Sequence, residues 1–268
     1  MSEELQTIID LIRYGASRFN AAGLTFGHSY DNALDEATQL TLHALHLPHD
    51  LPPAYGNARV TEAEKEDVLG LFLRRIEERI PAAYLTGEAW FAGLSFKSDP
   101  RALVPRSPIA EMIEAGFQPW LGDRDVRRAL DLCTGSGCIA IAMAHHNPDW
   151  HVDGVDISDD ALALSRENEK RLHVGNVRFL KSDLFSGLSG EHYDLIVTNP
   201  PYVTNDETDA LPREYALWHV DEGPHDARSN RYHLDREYRR CKAELVERLI
   251  EIAEDVIPGI AKHVVWKE

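Results

Sequence analysis

Between residues 126 and 198 short apolar runs alternate with stretches of helical period, and this alternation restricts the fold more than any other feature of the sequence. Residues 126–132, 152–157, 177–180 and 193–198 read as strands. Residues 138–146 read as a helix that is apolar through Ile139, Ile141, Ala142 and Met143, and Ser158 can cap a second helix over 159–172. Strand, crossover helix and strand in that order demand a parallel sheet with helices packed on it. Open sheets of this kind hold ligands at the carboxyl ends of their strands.

The last of these runs, Tyr193-Asp194-Leu195-Ile196-Val197-Thr198, stops at Asn199-Pro200-Pro201-Tyr202. Prolines cannot donate to a ladder, so the strand must end there. What remains is a carboxamide, carbonyls without competing N–H groups and one aromatic face. That set suits gripping a planar NH2 group. An amide nitrogen is a poor nucleophile because its lone pair is delocalised. Acceptors on both of its N–H bonds hold it with the lone pair toward an electrophile.

Three more features stand at the other strand ends. Asp131-Leu132-Cys133-Thr134-Gly135-Ser136-Gly137 lies between the first strand and its helix, where glycines let a ligand approach the backbone. The motif lacks the third glycine of the dinucleotide fingerprint, and on its own a purely structural turn explains it equally well. Asp156 ends the second strand about 20 residues on, where a carboxylate accepts from both hydroxyls of a ribose. An acid there also caps a following helix, although Ser158 or Asp159 can do that instead. Ser182-Asp183-Leu184-Phe185 follows the third strand and would either bracket an adenine ring or form an ordinary polar loop. Four features at four successive strand ends point to one ligand site. The chain has no glycine-rich triphosphate cradle with Lys, so the expected ligand is a nucleoside carrying a non-phosphate group, with S-adenosylmethionine as the candidate.

At 268 residues the chain has room for one large or two smaller domains. Its formal charge of -17, from 28 Lys+Arg and 45 Asp+Glu, argues against tight binding of a phosphate backbone and favours a basic protein partner. Cys133, Cys138 and Cys241 have no disulfide or zinc spacing, as in a reducing cytosol. His43 and His46, and the adjacent His145 and His146, lack a third ligand by spacing, so no metal is expected. The acidic start Met1-Ser2-Glu3-Glu4 does not read as a signal peptide, and no apolar run is long enough to span a bilayer. A cytoplasmic location follows from this reading.

Residues 1–85 read as a helical bundle without chemistry of its own. A helix over 3–20 would bury Leu5, Ile8, Ile9, Ile12, Ala16 and Phe19 and end at Gly23. One over 31–47 would bury Leu34, Ala37, Leu40, Ala44 and Leu45. A third, opened by the capping box Thr61 and Glu64, would bury Val68, Leu69, Phe72, Leu73, Ile76 and Ile80. Residues 86–107 read as a β-hairpin linker around Gly93, and 108–215 as the α/β domain. Residues 216–268 break the alternation and read as an atypical, mostly helical tail. With four strands, the edge at 193–198 would lie uncovered.

Taken together, Asp131 to Gly137, Asp156, Ser182-Asp183 and Asn199 to Tyr202 resemble the HemK-type protein-glutamine methyltransferases. The stretches 79–87 and 103–108 are similar to that family's interdomain segment. Phe19, Gly27-His28, Asp31-Asn32 and the Cys-containing glycine turn look most like the PrmB-type branch, which modifies large-subunit ribosomal protein L three. The resemblance covers roughly residues 5–215. It implies an N-terminal helical, substrate-recognising domain and a Rossmann-like, seven-stranded domain that uses S-adenosylmethionine to methylate a glutamine side-chain amide. By motif, Asp131, Cys133, Thr134, Gly135 and Gly137 would line the methionine and ribose side, Asp156 would bind the ribose hydroxyls, and Asp183 and Leu184 would lie by the adenine. Asn199 would accept from the glutamine NH2, as would the carbonyl of Pro200. Pro201 would belong to the substrate-binding motif, and Tyr202 would pack on the amide plane. From about residue 228 the chain departs from the family and is weakly similar to a C-terminal piece of flavin-dependent oxidoreductases, so the methyltransferase sheet is expected to be truncated after its fourth strand. Adenine-N6 methylation of DNA is the alternative activity, since the same tetrapeptide can grip an exocyclic NH2. A non-catalytic fragment with an oxidoreductase-like tail is the other alternative.

Overall fold

Thr7 opens the first helix, α1 (Ile8–Ala21), in the computed structural model, which describes residues 4–27, 30–118, 120–122, 124–200 and 214. The tail expected over 216–268 lies outside the described residues. These fall into two units, one formed by residues up to 88 together with Glu214 and the other by residues 89–200.

The first unit is helical. The Thr7 hydroxyl accepts from the Asp10 N–H, and the Asp10 carboxylate accepts from the Thr7 N–H, so α1 starts at a capping box. Residues 4–6 stay outside it, because Gln6 accepts from the Val60 N–H in a strand-like contact. The helix therefore begins five residues later than its apolar period predicts. Its buried face is Ile8, Leu11, Gly15 and Phe19, and Ile9, expected inward, is 54% exposed. The face is fixed by Gly15, where an added Cβ would lie 2.6 Å from the Phe72 ring. Helix α2 (Ala33–Ala44) is capped by Asn32, whose Oδ1 accepts from the N–H groups of Leu34 and Asp35. It buries Ala33, Ala37, Leu40 and Thr41, a stripe that leaves Leu34 exposed and turns Glu36 inward. The capping box of Thr61 and Glu64 opens α3 (Glu62–Glu77). This helix buries Val68, Phe72 and Arg75, while Leu73 faces outward. The rings of Phe19 and Phe72 meet edge to face at 5.2 Å. Helix α4 (Ala82–Thr86) closes the bundle and ends at Gly87 in the left-handed region.

From Ala89 on the second unit takes in a hairpin, β1 (Glu88–Phe91) and β2 (Leu94–Lys97). Its turn, Ala92-Gly93, has φ of 46° and 76°, the left-handed pair that a two-residue hairpin requires. A short helix, α5 (Ile109–Glu114), follows. Then come β3 (Arg128–Leu132), α6 (Cys138–His146), β4 (His151–Asp156), α7 (Asp159–Leu172), β5 (Val177–Lys181) and β6 (Leu195–Thr198). The four strands are parallel in the order β5-β4-β3-β6. This is the α/β sheet expected from the alternation, with element ends shifted by at most two residues.

One sheet face carries Ala129, Val152, Val177, Phe179 and Val197 against the buried side chains of α6, Leu162 of α7 and Ile113 of α5. The hairpin's Phe91 and Phe96 belong to the same core. On the other face Leu130, Leu132 and Val155 pack with Phe185, Leu188 and Tyr193 from the connection between β5 and β6. At the amino ends of the strands Asp153 is buried between Arg178 at 2.8 Å, Arg128 at 3.0 Å and the Tyr193 hydroxyl at 2.7 Å. Burial opposes its charge, but these partners hold its carboxyl below the usual range. Among the described residues β6 is an edge strand, and no helix is long and apolar enough to cross a membrane.

Candidate cofactor and amide site

The sheet register brings the ends of the four strands side by side: Leu132 pairs with Val155 and with Thr198, and Asp156 pairs with Lys181. The residues that follow them are the glycine turn, Asp156 itself, Ser182 to Leu184, and Asn199. The sequence motifs thus come together at one end of the sheet. Pro201 and Tyr202 lie outside the described residues.

The turn is built by its own hydrogen bonds. The Thr134 N–H donates to the Val155 carbonyl at 2.9 Å, and the Gly137 N–H donates to the Thr134 carbonyl at 2.9 Å. Cys133, Gly135 and Gly137 all have positive φ, at 59°, 55° and 81°. Gly137 is also sterically required, since a Cβ there would lie 2.8 Å from the Ser165 Cβ and 2.9 Å from the Phe179 ring. The turn thus offers backbone rather than side chains at the strand ends, as a cradle for a small ligand does.

Two carboxylates are locked beneath it. Asp131 Oδ2 accepts from the Thr134 hydroxyl at 2.5 Å and from the Ala140 N–H at 3.1 Å. Its Oδ1 is buried and has no hydrogen-bond partner among the described residues. Burial pushes its pKa up to about 7, against the two hydrogen bonds, and the charge of Asp156 adds to the rise. Asp156 accepts from the Gly135 N–H at 2.9 Å through Oδ2 and from the Ser158 N–H at 3.0 Å through Oδ1. Burial raises its pKa as well, partly offset by those N–H groups. Helix α7 is capped by the Ser158 hydroxyl, which accepts from Ala161 N–H, so Asp156 is free of that task. Burial raises the Cys133 thiol and lifts the Cys138 thiol to about 12, so both stay protonated and neither is an activated nucleophile.

Beyond β5 the Ser182 hydroxyl donates to the Leu184 carbonyl at 2.6 Å and accepts from the Gly187 N–H at 2.9 Å. This ties Leu184 into a left-handed conformation with φ of 47° and leaves Asp183 exposed. Beyond β6, Asn199 is half-buried and Pro200 is buried. The strand end is pinned by the Thr198 hydroxyl, which donates to the Leu132 carbonyl at 2.9 Å.

The structure adds residues that the sequence reading missed. Gly154 on β4 lies beneath the turn, where a Cβ would meet the Phe179 ring at 2.6 Å and Thr134 Oγ1 at 2.9 Å. An isolated glycine inside a strand signals such a close approach, and that signal was legible. Asn168 on α7 is fully buried and donates to the Ser136 carbonyl of the turn at 3.0 Å. It carries no local signal, because a polar residue in a charged helix reads as solvent-facing.

The donor set fits a cationic nucleoside such as S-adenosylmethionine. Two buried carboxylates with raised pKa, one oxygen of them unpaired, are relieved by positive charge, and the side-chain-free turn leaves room along the backbone.

Sequence comparison with known proteins gives the same direction. Residues 118–214 match the family model described as "Methyltransferase small domain". The chain is 80% identical over 215 residues to the "Ribosomal protein uL3 glutamine methyltransferase" of Xanthomonas campestris pv. campestris, a match that covers 80% of this chain and 70% of that protein. It is 51% identical over 216 residues to the protein of the same name from Neisseria meningitidis serogroup B, covering 80% of this chain and 71% of that one. Among solved structures, "delta-N METTL16 MTase domain" matches with a TM-score of 0.41 at 18% identity, covering 70% of each chain.

Proposed function

The chain belongs to the ribosomal protein uL3 glutamine methyltransferases, and from that premise we propose that it methylates the side-chain amide nitrogen of a glutamine in uL3, with S-adenosylmethionine as methyl donor. The observation that carries this reading is the 80% identity over 215 residues. The converging strand ends support it independently. The adenine-N6 DNA activity is not favoured, since the relatives are named as protein methyltransferases.

The residues would divide the work as follows. Asp156 accepts from the ribose hydroxyls of the cofactor, and Asp183 and Leu184 flank its adenine. The backbone of Cys133, Thr134, Gly135 and Gly137 lines the methionine side. The unpaired Asp131 Oδ1 is an acceptor suited to an ammonium group. Bound in this way, S-adenosylmethionine would supply a methyl group on a sulfonium, with the neutral thioether S-adenosylhomocysteine as the leaving group.

Asn199 Oδ1 and the Pro200 carbonyl accept from the two N–H bonds of the glutamine amide. Tyr202 packs on the amide plane and Pro201 fixes the spacing. The grip turns the nitrogen lone pair toward the methyl carbon, so catalysis rests on orientation rather than on a strong base. The amide gives up one N–H proton to solvent and stays neutral. The neutral thiols of Cys133 and Cys138 take no part.

Residues 1–85 serve as the helical substrate-recognition domain and 108–215 as the methyltransferase domain, joined through the hairpin at 86–107. The formal charge of -17 suits a basic ribosomal protein substrate and disfavours direct nucleic-acid binding, and a cytoplasmic site of action agrees with such a substrate.

Two assays in parallel test this function. The chain is titrated with S-adenosylhomocysteine in a calorimeter, and labelled methyl transfer is followed onto purified uL3 and onto duplex DNA. Cofactor binding with label on uL3 and none on DNA is expected. Label on DNA alone would overturn the assignment.

A further inference from the structure

The segment that leaves the hairpin runs against α7, and one guanidinium grips two carboxylates there. Arg101 Nε donates to Asp99 Oδ1 at 2.9 Å, and its Nη2 donates to Asp99 Oδ2 at 2.8 Å. On its other side Nη1 donates to Glu167 Oε1 at 2.8 Å and Nη2 to Glu167 Oε2 at 2.9 Å. The Arg101 N–H also donates to Asp99 Oδ1 at 3.1 Å, and the Ala102 N–H donates to the Asp99 carbonyl at 3.3 Å, so residues 99–102 close into a turn. Glu167 stands on α7 and takes a second cation, Lys97 Nζ, at 2.6 Å. Arg101 and then Lys97 pull its carboxyl down to about 2, so the clamp is ionised at neutral pH.

The residue next to the clamp is Ala102. It is buried and packs with Ala161 and Leu164 of α7. It also meets the glycine turn. The Cβ position of Gly135 lies 3.8 Å from the Ala102 Cβ, and apart from the chain neighbours of Gly135 no other described residue comes within 4 Å of that position. Gly135 has a φ of 55° and no side chain to limit its backbone. Its N–H nevertheless has a fixed task, donating to Asp156 Oδ2 at 2.9 Å. A neighbour packed against such a glycine restricts where that N–H points.

We propose that Arg101 is a positioning residue for the methyl donor: by clamping Asp99 and Glu167 it seats Ala102 against Gly135, and so fixes the N–H that orients the Asp156 carboxylate. The proposal rests on the function above, in which Asp156 takes the ribose hydroxyls. A guanidinium suits this task better than an ammonium, because its planar fork sets direction as well as distance and here serves two carboxylates at once. The Arg101, Asp99 and Glu167 side chains are all partly exposed. Ion pairs of that kind contribute little to overall stability, so losing the clamp leaves the fold in place and is read at the cofactor site.

Lys97 supplies the control. Its ammonium binds the same carboxylate of Glu167, but it belongs to β2 and precedes the clamped segment. The experiment compares Arg101→Gln, Arg101→Lys, Glu167→Gln, Lys97→Gln and Asp156→Ala with wild type. S-adenosylhomocysteine affinity is measured by calorimetry below each melting temperature, and KM is measured for S-adenosylmethionine and for uL3. Arg101→Gln is expected to weaken S-adenosylhomocysteine binding by about 3- to 10-fold and to raise KM for S-adenosylmethionine in step, with KM for uL3 as in wild type. Arg101→Lys should fall between the two, and Lys97→Gln should bind like wild type. Cofactor affinity of Arg101→Gln equal to that of wild type or of Lys97→Gln would overturn the proposal, as would a matching rise in KM for uL3. If Arg101→Gln does not fold, Glu167→Gln reads the clamp from α7 with the same expectation. Asp156→Ala separates the two readings: weak binding there with normal binding by Arg101→Gln removes the positioning role alone. Unchanged binding by Asp156→Ala removes the ribose assignment and the positioning role with it, and a wild-type chain that binds no S-adenosylhomocysteine removes the methyltransferase reading as well.

Discussion

Asn168 holds Lys97 by both its N–H and its carbonyl: the carboxamide Oδ1 accepts from the Lys97 N–H at 2.7 Å, and Nδ2 donates to the Lys97 carbonyl at 3.1 Å. The same Nδ2 donates to the Ser136 carbonyl at 3.0 Å, so one fully buried side chain on α7 ties the end of the hairpin to the glycine turn. Asn168→Asp keeps the shape but places an acceptor against two carbonyls. A loss of about 1–3 kcal/mol of stability is expected, with weaker S-adenosylhomocysteine binding because Ser136 loses its support. Thermal melts and calorimetry on the variant check both, and an unchanged cofactor affinity would confine Asn168 to the fold.

Gly137→Ala tests the close packing of the turn. The new Cβ would sit 2.8 Å from that of Ser165 at a φ of 81°. Overpacking costs about 1–3 kcal/mol and the left-handed backbone about 1–2 more. Gly175→Ala has nothing within 4 Å of its Cβ and should change stability by less than about 0.5 kcal/mol. Urea unfolding of the two variants side by side measures the contrast.

Asp156→Ala should weaken cofactor binding more than substrate binding. Losing a charged acceptor for two hydroxyls is expected to cost about 1.5–3 kcal/mol in S-adenosylhomocysteine affinity. The check is calorimetry of the cofactor together with KM for uL3. Cofactor affinity equal to wild type would remove the ribose assignment.

Asp131 makes the cofactor-free chain sensitive to pH. Burial raises its folded pKa from 3.8 to about 7, so the folded state binds a proton more tightly than the unfolded one. Its contribution is full below the unfolded value and is lost as pH rises through about 7. Between roughly pH 4 and 7 the melting temperature of the cofactor-free chain should fall, and Asp131→Asn should flatten that slope. Melting curves across this range give the comparison.

The α/β sheet was legible because its signals are local. Apolar runs, the glycines of the turn, Ser158 as a cap and Pro200 each specify their own geometry, and the strand ends follow from them. The helical faces were read less well. Gly15, not the apolar period, sets the face of α1, since its missing side chain admits the Phe72 ring. Glu36 turns inward because Arg75 receives it there, which requires knowing that α2 and α3 meet. Asn168 and Glu214 bond to backbone and side chains far away in sequence, so no window around either residue reveals its partner. Pro201 and Tyr202, read from the motif, remain proposals along with the roles of the other site residues.

Mass spectrometry of purified, unmethylated uL3 after incubation with S-adenosylmethionine and either wild type or Asn199→Ala tests the central claim most directly. The wild-type chain should place one methyl group on a glutamine side-chain amide nitrogen. Asn199→Ala should still bind S-adenosylhomocysteine but lose most of the transfer, because Asn199 acts on the amide in the transition state. A methyl group on any other kind of atom, or undiminished transfer by Asn199→Ala, would contradict the account.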